Sequence, residues 1–320
     1  NGDGLEDIIV GGNYLKPAVL YIQQPNQTFK ASNAQPWNTL GLYSDMGLCL
    51  FDADGDKDLD LFIARGNTNQ PSHASDYQDV IFINDGKGNF TPAKNALPDL
   101  TSNGSCVAAA DYDKDGDLDL FVGGRSMPES YPEADFSYLL KNQSANGLIK
   151  FVYASEQKEM ALRQPGLVNT VVWSDLNKDG WVDLIVAGEF MAITVFENHK
   201  GQLQDATAQY GLENSQGMWQ KIVLDDIDHD GDIDILAGNL GLNTQLRASQ
   251  KEPMTLTYEQ ALLLQAKVKE TGKRLCLTHT YSGYPMVKQA KAMVREGKLG
   301  KIRKVWVEYP QGWLSKLSER

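Results

Sequence analysis

Along the first 240 residues the apolar positions come in short runs, broken by Gly, Asn and Asp, and the runs recur in a fixed order. The first set reads MGLCLF (46–51), CVAAA (106–110), VNTVVW (168–173) and MWQKIVL (218–224). An aspartate-rich stretch follows each, and a second set overlaps its end: LDLFIA (59–64), LDLFVGG (118–124), VDLIVAG (182–188) and IDILAG (233–238). A third set reads AVLYIQ (18–23), DVIFIN (79–84), FSYLLKN (136–142) and AITVFEN (192–198). Runs this short, rich in β-branched and aromatic residues and bounded by turn formers, predict strands rather than helices. NDGKGNF (84–90) and ENHKGQLQDAT (197–207) supply hairpin residues that tolerate φ > 0 and lead into a short fourth strand. Four strands per repeat is the plan of a β-propeller blade; a solenoid of stacked β units, usually with shorter repeats, is the competing architecture.

The linking stretches carry the chemistry. They read DADGDKDLD (52–60), DYDKDGDLD (111–119), DLNKDGWVD (175–183) and DIDHDGDID (226–234), with a shortened copy, NGDGLED, at 1–7. Their last aspartates lie 53, 59, 64 and 51 residues apart. With the motif numbered 1 to 9, positions 1, 3, 5 and 9 are Asp52, Asp54, Asp56 and Asp60; Asp111, Asp113, Asp115 and Asp119; Asp175, Asn177, Asp179 and Asp183; and Asp226, Asp228, Asp230 and Asp234. Position 7 varies, being Asp58, Asp117, Trp181 or Asp232. In the shortened copy, Asn1, Asp3 and Asp7 remain. Side-chain oxygens at 1, 3 and 5, a backbone carbonyl at 7 and a closing carboxylate make a calcium loop, and a carbonyl ligand explains why Trp181 is accepted. Gly116, Gly180 and Gly231 at position 6 permit the sharp turn; the copy at 52–60 has Lys57 there and Gly55 at position 4, so it is expected to be the weakest complete site. Ca²⁺ fits better than Mg²⁺, which keeps its waters and takes fewer protein ligands. The alternative, a solvated acidic strand, explains neither the glycine at position 6 nor the freedom at position 7.

These units resemble FG-GAP/VCBS repeats over about residues 1–250, and GNLGLNTQLRAS (238–249) is similar to bacterial members. The resemblance implies calcium-bearing β-propellers, often of seven blades, in secreted or surface proteins used for adhesion and ligand binding. It also implies that the calcium loop joins the first two strands of each blade. The expected fold is therefore mainly β: an incomplete propeller of about four to five four-stranded blades, followed by a short α/β segment. Millimolar calcium acting on sites with Kd on the order of 10⁻⁴–10⁻³ M stabilises by roughly 0.4–1.4 kcal/mol each. Cytosolic calcium is too low to fill such sites, which favours an extracellular, cell-surface or periplasmic protein.

The texture changes after about Met254. TYEQALLLQAKVKETG (257–272) and PMVKQAKAMVREG (285–297) predict helices, and RLCLTH (274–279) and KIRKVWVEY (301–309) predict strands. This segment, THTYSGYPMVKQAKAMVREGKLGKIRKVWVEYPQGWL (278–314) above all, resembles the middle of a Gfo/Idh/MocA-type NAD(P)-dependent oxidoreductase. The resemblance implies a sugar-like substrate and places His279 near a family active site. A G-x-G-x-x-G loop is absent from all 320 residues, and the order Lys251-Glu252-Pro253 inverts the family's Glu-Lys-Pro. Two pieces of different origin, 1–250 and 251–320, are thus expected.

Charge sharpens that division. Residues 251–320 carry 14 Lys/Arg and 6 Glu, a net of +8, against −12 for the whole chain. The acidic remainder repels phosphate, which argues against nucleic-acid binding. Cys49, Cys106 and Cys276 form no C-x-x-C pair and read as small apolar residues. No apolar run is long enough to span a membrane. The leading expectation is a non-enzymatic binding or adhesion module with a protein or polysaccharide ligand. The alternatives are a truncated sugar oxidoreductase and a scaffold for polysaccharide lyase or hydrolase chemistry.

Overall fold

The computed structural model describes residues 1–32, 35–38, 43–67, 75–155 and 159–240. The helices and strands expected after Met254 lie outside the described residues, as does Cys276. Within them the chain is mainly β, built from antiparallel sheets, none closed into a barrel.

The four-stranded plan is complete three times. It is formed by β4 (Asp45–Phe51), β5 (Asp60–Arg65), β6 (Val80–Asn84) and β7 (Phe90–Pro92), then by β8 (Gly104–Ala110), β9 (Asp119–Gly124), β10 (Tyr138–Asn142) and β11 (Phe151–Tyr153). The third set is β12 (Leu167–Ser174), β13 (Asp183–Met191), β14 (Thr194–Asn198) and β15 (Leu203–Asp205). The first repeat has three strands, β1 (Ile8–Val10), β2 (Val19–Gln23) and β3 (Phe29–Ser32). The last contributes the pair β16 (Gly217–Asp225) and β17 (Asp234–Asn239). That pair is not separate: the far end of β13 pairs with the start of β16 through Glu189 and Met218, joining six strands in one sheet. A short helix, α1 (Met160–Arg163), precedes β12.

The second strands β5, β9 and β13 are apolar on both faces because each has a neighbour on both. Leu61 and Ile63 of β5 pack with Ala18, Leu20 and Trp37 of the first repeat, while Phe62 and Ala64 pack with Leu120, Val122 and Leu140 of the third. In β9 and β13 the alternation repeats: Phe121 joins Leu184 and Val186, and Ile185 and Ala187 join Ile222 and Ile235. The side-chain period of two sends alternate residues to opposite sheet faces. The sheets therefore stack face to face in chain order, and the first strands β4, β8, β12 and β16 neighbour one another. This stack holds each of the four complete aspartate loops at the turn between the first and second strand of its repeat.

Candidate metal centre

The four complete motifs form closely similar turns. Positions 4 and 6 both take left-handed backbone: Lys114, Lys178 and His229 at position 4 have φ of 59°, 58° and 61°, followed by Gly116, Gly180 and Gly231 at 99°, 87° and 91°. The loop at 52–60 exchanges the two residue types, with Gly55 at 82° and Lys57 at 74°. Each curl turns backbone donors inward. The position-6 N–H donates to the position-1 carboxylate in all four loops, Lys57 to Asp52 at 3.0 Å, Gly116 to Asp111 at 3.2 Å, Gly180 to Asp175 at 2.7 Å and Gly231 to Asp226 at 3.0 Å. The position-7 N–H donates to position 5, as from Asp58 to Asp56 at 3.0 Å, Asp117 to Asp115 at 3.1 Å, and Trp181 to Asp179 at 2.8 Å.

This folding brings carboxylate oxygens within 4.8 Å of one another in three groups: Asp52, Asp54 and Asp60; Asp111, Asp113 and Asp115; and Asp226, Asp228 and Asp230. At 175–183 the middle acid is replaced by Asn177, whose amide donates to Asp179 at 3.1 Å. In the shortened copy Asn1 donates to Asp3 at 3.0 Å, and the terminal ammonium pairs with Asp7 at 3.1 Å.

Position 9 is the anchor. Asp60, Asp119 and Asp183 are fully buried, whereas Asp234 is half-buried. Asp60, Asp183 and Asp234 accept the position-2 N–H of their own loops at 2.9–3.0 Å. Burial pushes the Asp60 carboxyl up to about 6 and the Asp119 carboxyl up to about 7, and raises Asp183 as well. Burial, reinforced by the neighbouring aspartates, also raises Asp54 and Asp58. Three carboxylate oxygens, Asp58 Oδ1, Asp111 Oδ1 and Asp119 Oδ2, are buried with no hydrogen-bond partner. A buried acceptor left unpaired is costly, and a hard cation suits an all-oxygen donor set of this kind. The residues present thus fit a bound metal ion.

Two features escape a reading of single motifs. The first is a buried asparagine that ends the third strand: Asn84, Asn142 and Asn198 donate their backbone N–H to Asp60, Asp119 and Asp183 at 2.9, 2.7 and 2.8 Å. The side-chain amide of Asn142 reaches back to the Ala53 carbonyl at 3.0 Å, and that of Asn198 to the Tyr112 carbonyl at 2.8 Å. One residue therefore ties the anchor of its own loop to position 2 of the preceding loop. The recurring final asparagine in DVIFIN, FSYLLKN and AITVFEN was the available signal. The second is the position-7 side chain, which in loops 175–183 and 226–234 meets the preceding loop. Lys114 lies over the Trp181 ring at 4.3 Å, and Lys178 pairs with Asp232.

A family model described as FG-GAP-like repeat matches residues 1–63, 52–122 and 175–237, more than half of the chain. The chain belongs to the FG-GAP-like repeat family. In this FG-GAP-like protein the matched segments span all five aspartate motifs and end before the oxidoreductase-like stretch. No curated protein matches it. Among solved structures it is similar to an Agrocybe aegerita lectin, described as recognising non-reducing terminal N-acetylglucosamine, with 20% identity and a TM-score of 0.43 over 73% of this chain and 57% of that one. It is also similar to Bacillus licheniformis rhamnogalacturonan lyase PL11, with 14% identity and a TM-score of 0.36 over 69% of this chain and 48% of that one. The V. cholerae biofilm matrix protein Bap1 has 16% identity and a TM-score of 0.36, covering 77% of this chain and 34% of that one. The chain thus spans between about a third and somewhat over half of these structures. Among the described residues no helix is long and apolar enough to cross a membrane.

Proposed function

We propose that this FG-GAP-like chain is a non-enzymatic, calcium-stabilised module that binds a protein or polysaccharide ligand outside the cytosol. The observation that carries the reading is the grouping of three carboxylates within 4.8 Å at equivalent turns of three repeats. Five acids in nine residues repel one another, so a dication that binds only the folded loop stabilises the fold by mass action. Ca²⁺ suits the donor set because it takes six to eight oxygens in flexible geometry. With Kd on the order of 10⁻⁴–10⁻³ M, millimolar calcium contributes roughly 0.4–1.4 kcal/mol per loop. Such loops fill outside the cell and stay largely empty in the cytosol, which supports an extracellular or surface location.

The aspartates serve as scaffold in this reading. Their oxygens hold loop N–H groups and the ion, so the ligand is met by surfaces the loops keep in place. Isothermal titration of Ca²⁺ into chelator-treated protein tests the proposal. Saturable binding to more than one site is expected. A flat titration, with an unchanged near-ultraviolet spectrum on adding calcium, would remove calcium from the account.

A further inference from the structure

The strand residue just before the buried asparagine is neutral in one repeat, cationic in the next and anionic in the third. It is Ile83 before Asn84, Lys141 before Asn142 and Glu197 before Asn198. The three are equivalent by register, because each following asparagine donates its N–H to the position-9 aspartate of its own loop. In two repeats this side chain reaches position 3 of the loop. Lys141 Nζ bonds to Asp113 and lies 3.1 Å from Asp115 Oδ2. Glu197 Oε1 instead accepts a hydrogen bond from Asn177 at 2.8 Å. An ammonium thus engages two of the three grouped acids of loop 111–119. In loop 175–183, which lacks one acid, a carboxylate stands beside the substituted position.

We propose that Lys141 is a built-in competitor for the cation of loop 111–119, which makes that loop the last of the four complete sites to fill. The inference rests on the calcium reading above. The loop is otherwise well prepared for an ion: Asp119 is fully buried, and both Asp119 Oδ2 and Asp111 Oδ1 lack partners. An entering dication takes the carboxylate oxygens that Lys141 holds, and the ammonium must swing to solvent or stay as a like charge beside the ion. Lys141 is about one-third exposed, so the outward path is open. Affinity in such loops follows the charge count of the ligands, and Lys141 lowers that count by one. The ranking thus differs from the one suggested by Lys57: that residue takes left-handed backbone, but among the described residues no lysine pairs with a carboxylate of loop 52–60.

The test is titration of Ca²⁺ alone into the full chain and its Lys141→Met variant, with circular dichroism to check folding. Removing one positive charge from contact should tighten one site about ten-fold and leave the others unchanged. The gain should vanish in the double variant Lys141→Met with Asp111→Ala, which assigns it to this loop. Should Lys141→Met fail to fold, Lys141→Gln takes its place with the same expectation. Binding in the parent chain with an identical isotherm in the folded Lys141 variant overturns this proposal and leaves the calcium reading standing. Absence of binding in the parent and in every variant overturns both.

Discussion

Loops 111–119 and 226–234 carry nearly the same motif, yet the fold treats them differently. Asp119 is fully buried, and the loop is clamped by the next repeat, because Asn198 donates to the Tyr112 carbonyl. Asp234 is half-buried, Asp228 and Asp230 are exposed, and no such clamp is seen on loop 226–234 among the described residues. The same contrast runs through the sheets. Phe121 of β9 is fully buried between repeats, whereas its counterpart Leu236 in β17 is 59% exposed. The motif specifies the turn; the following repeat determines how dry and how rigid the turn becomes. A repeat in this fold gains much of its stability from its neighbour, as expected where each unit buries only part of its own apolar surface.

The comparison can be broken at the core first. Phe121→Ala should cost about 3–5 kcal/mol in a urea melt, while Leu236→Ala should fall within about 0.5 kcal/mol of the parent. Equal costs would mean that the two faces are equally packed. The loops give the next largest difference. Asp119→Ala leaves the buried Asn142 N–H unpaired and should lower stability in calcium by about 3 kcal/mol, against about 1 kcal/mol for Asp234→Ala. The clamp itself is worth somewhat less. Asn142→Ala removes side-chain bonds to the Ala53 and Leu118 carbonyls and should cost about 2 kcal/mol. It should also weaken calcium binding at loop 52–60, although Asn142 lies in a different repeat. The smallest effect concerns backbone strain: Lys57→Gly relieves a left-handed residue at φ 74° and should stabilise by no more than about 1 kcal/mol, since glycine's added chain entropy offsets the relief.

Much of this plan was legible in the sequence because it is local. Short β-rich runs such as LDLFVGG marked the strands, and the aspartate spacing with its glycine marked the turns between them. The left-handed requirement at position 4 was hidden, since Lys114, Lys178 and His229 meet it without glycine. The asparagine clamp, the pairing of Lys178 with Asp232 and the contact of Lys141 with Asp113 were hidden for another reason. Each joins residues at least 28 positions apart, and no periodicity encodes such a contact. The joining of β13 to β16 likewise depends on the extended end of β13 beyond Gly188, where a repeat-by-repeat reading ends the strand. The α/β elements expected within 257–309 fall outside the described residues.

Thermal unfolding of the chelator-treated chain at increasing calcium tests the central claim most directly. If the aspartate loops hold neighbouring strands through bound ions, the midpoint should climb steadily with calcium, by about 5 °C or more at millimolar concentrations, and EDTA should reverse the rise. A midpoint that stays the same from EDTA to millimolar calcium would contradict it.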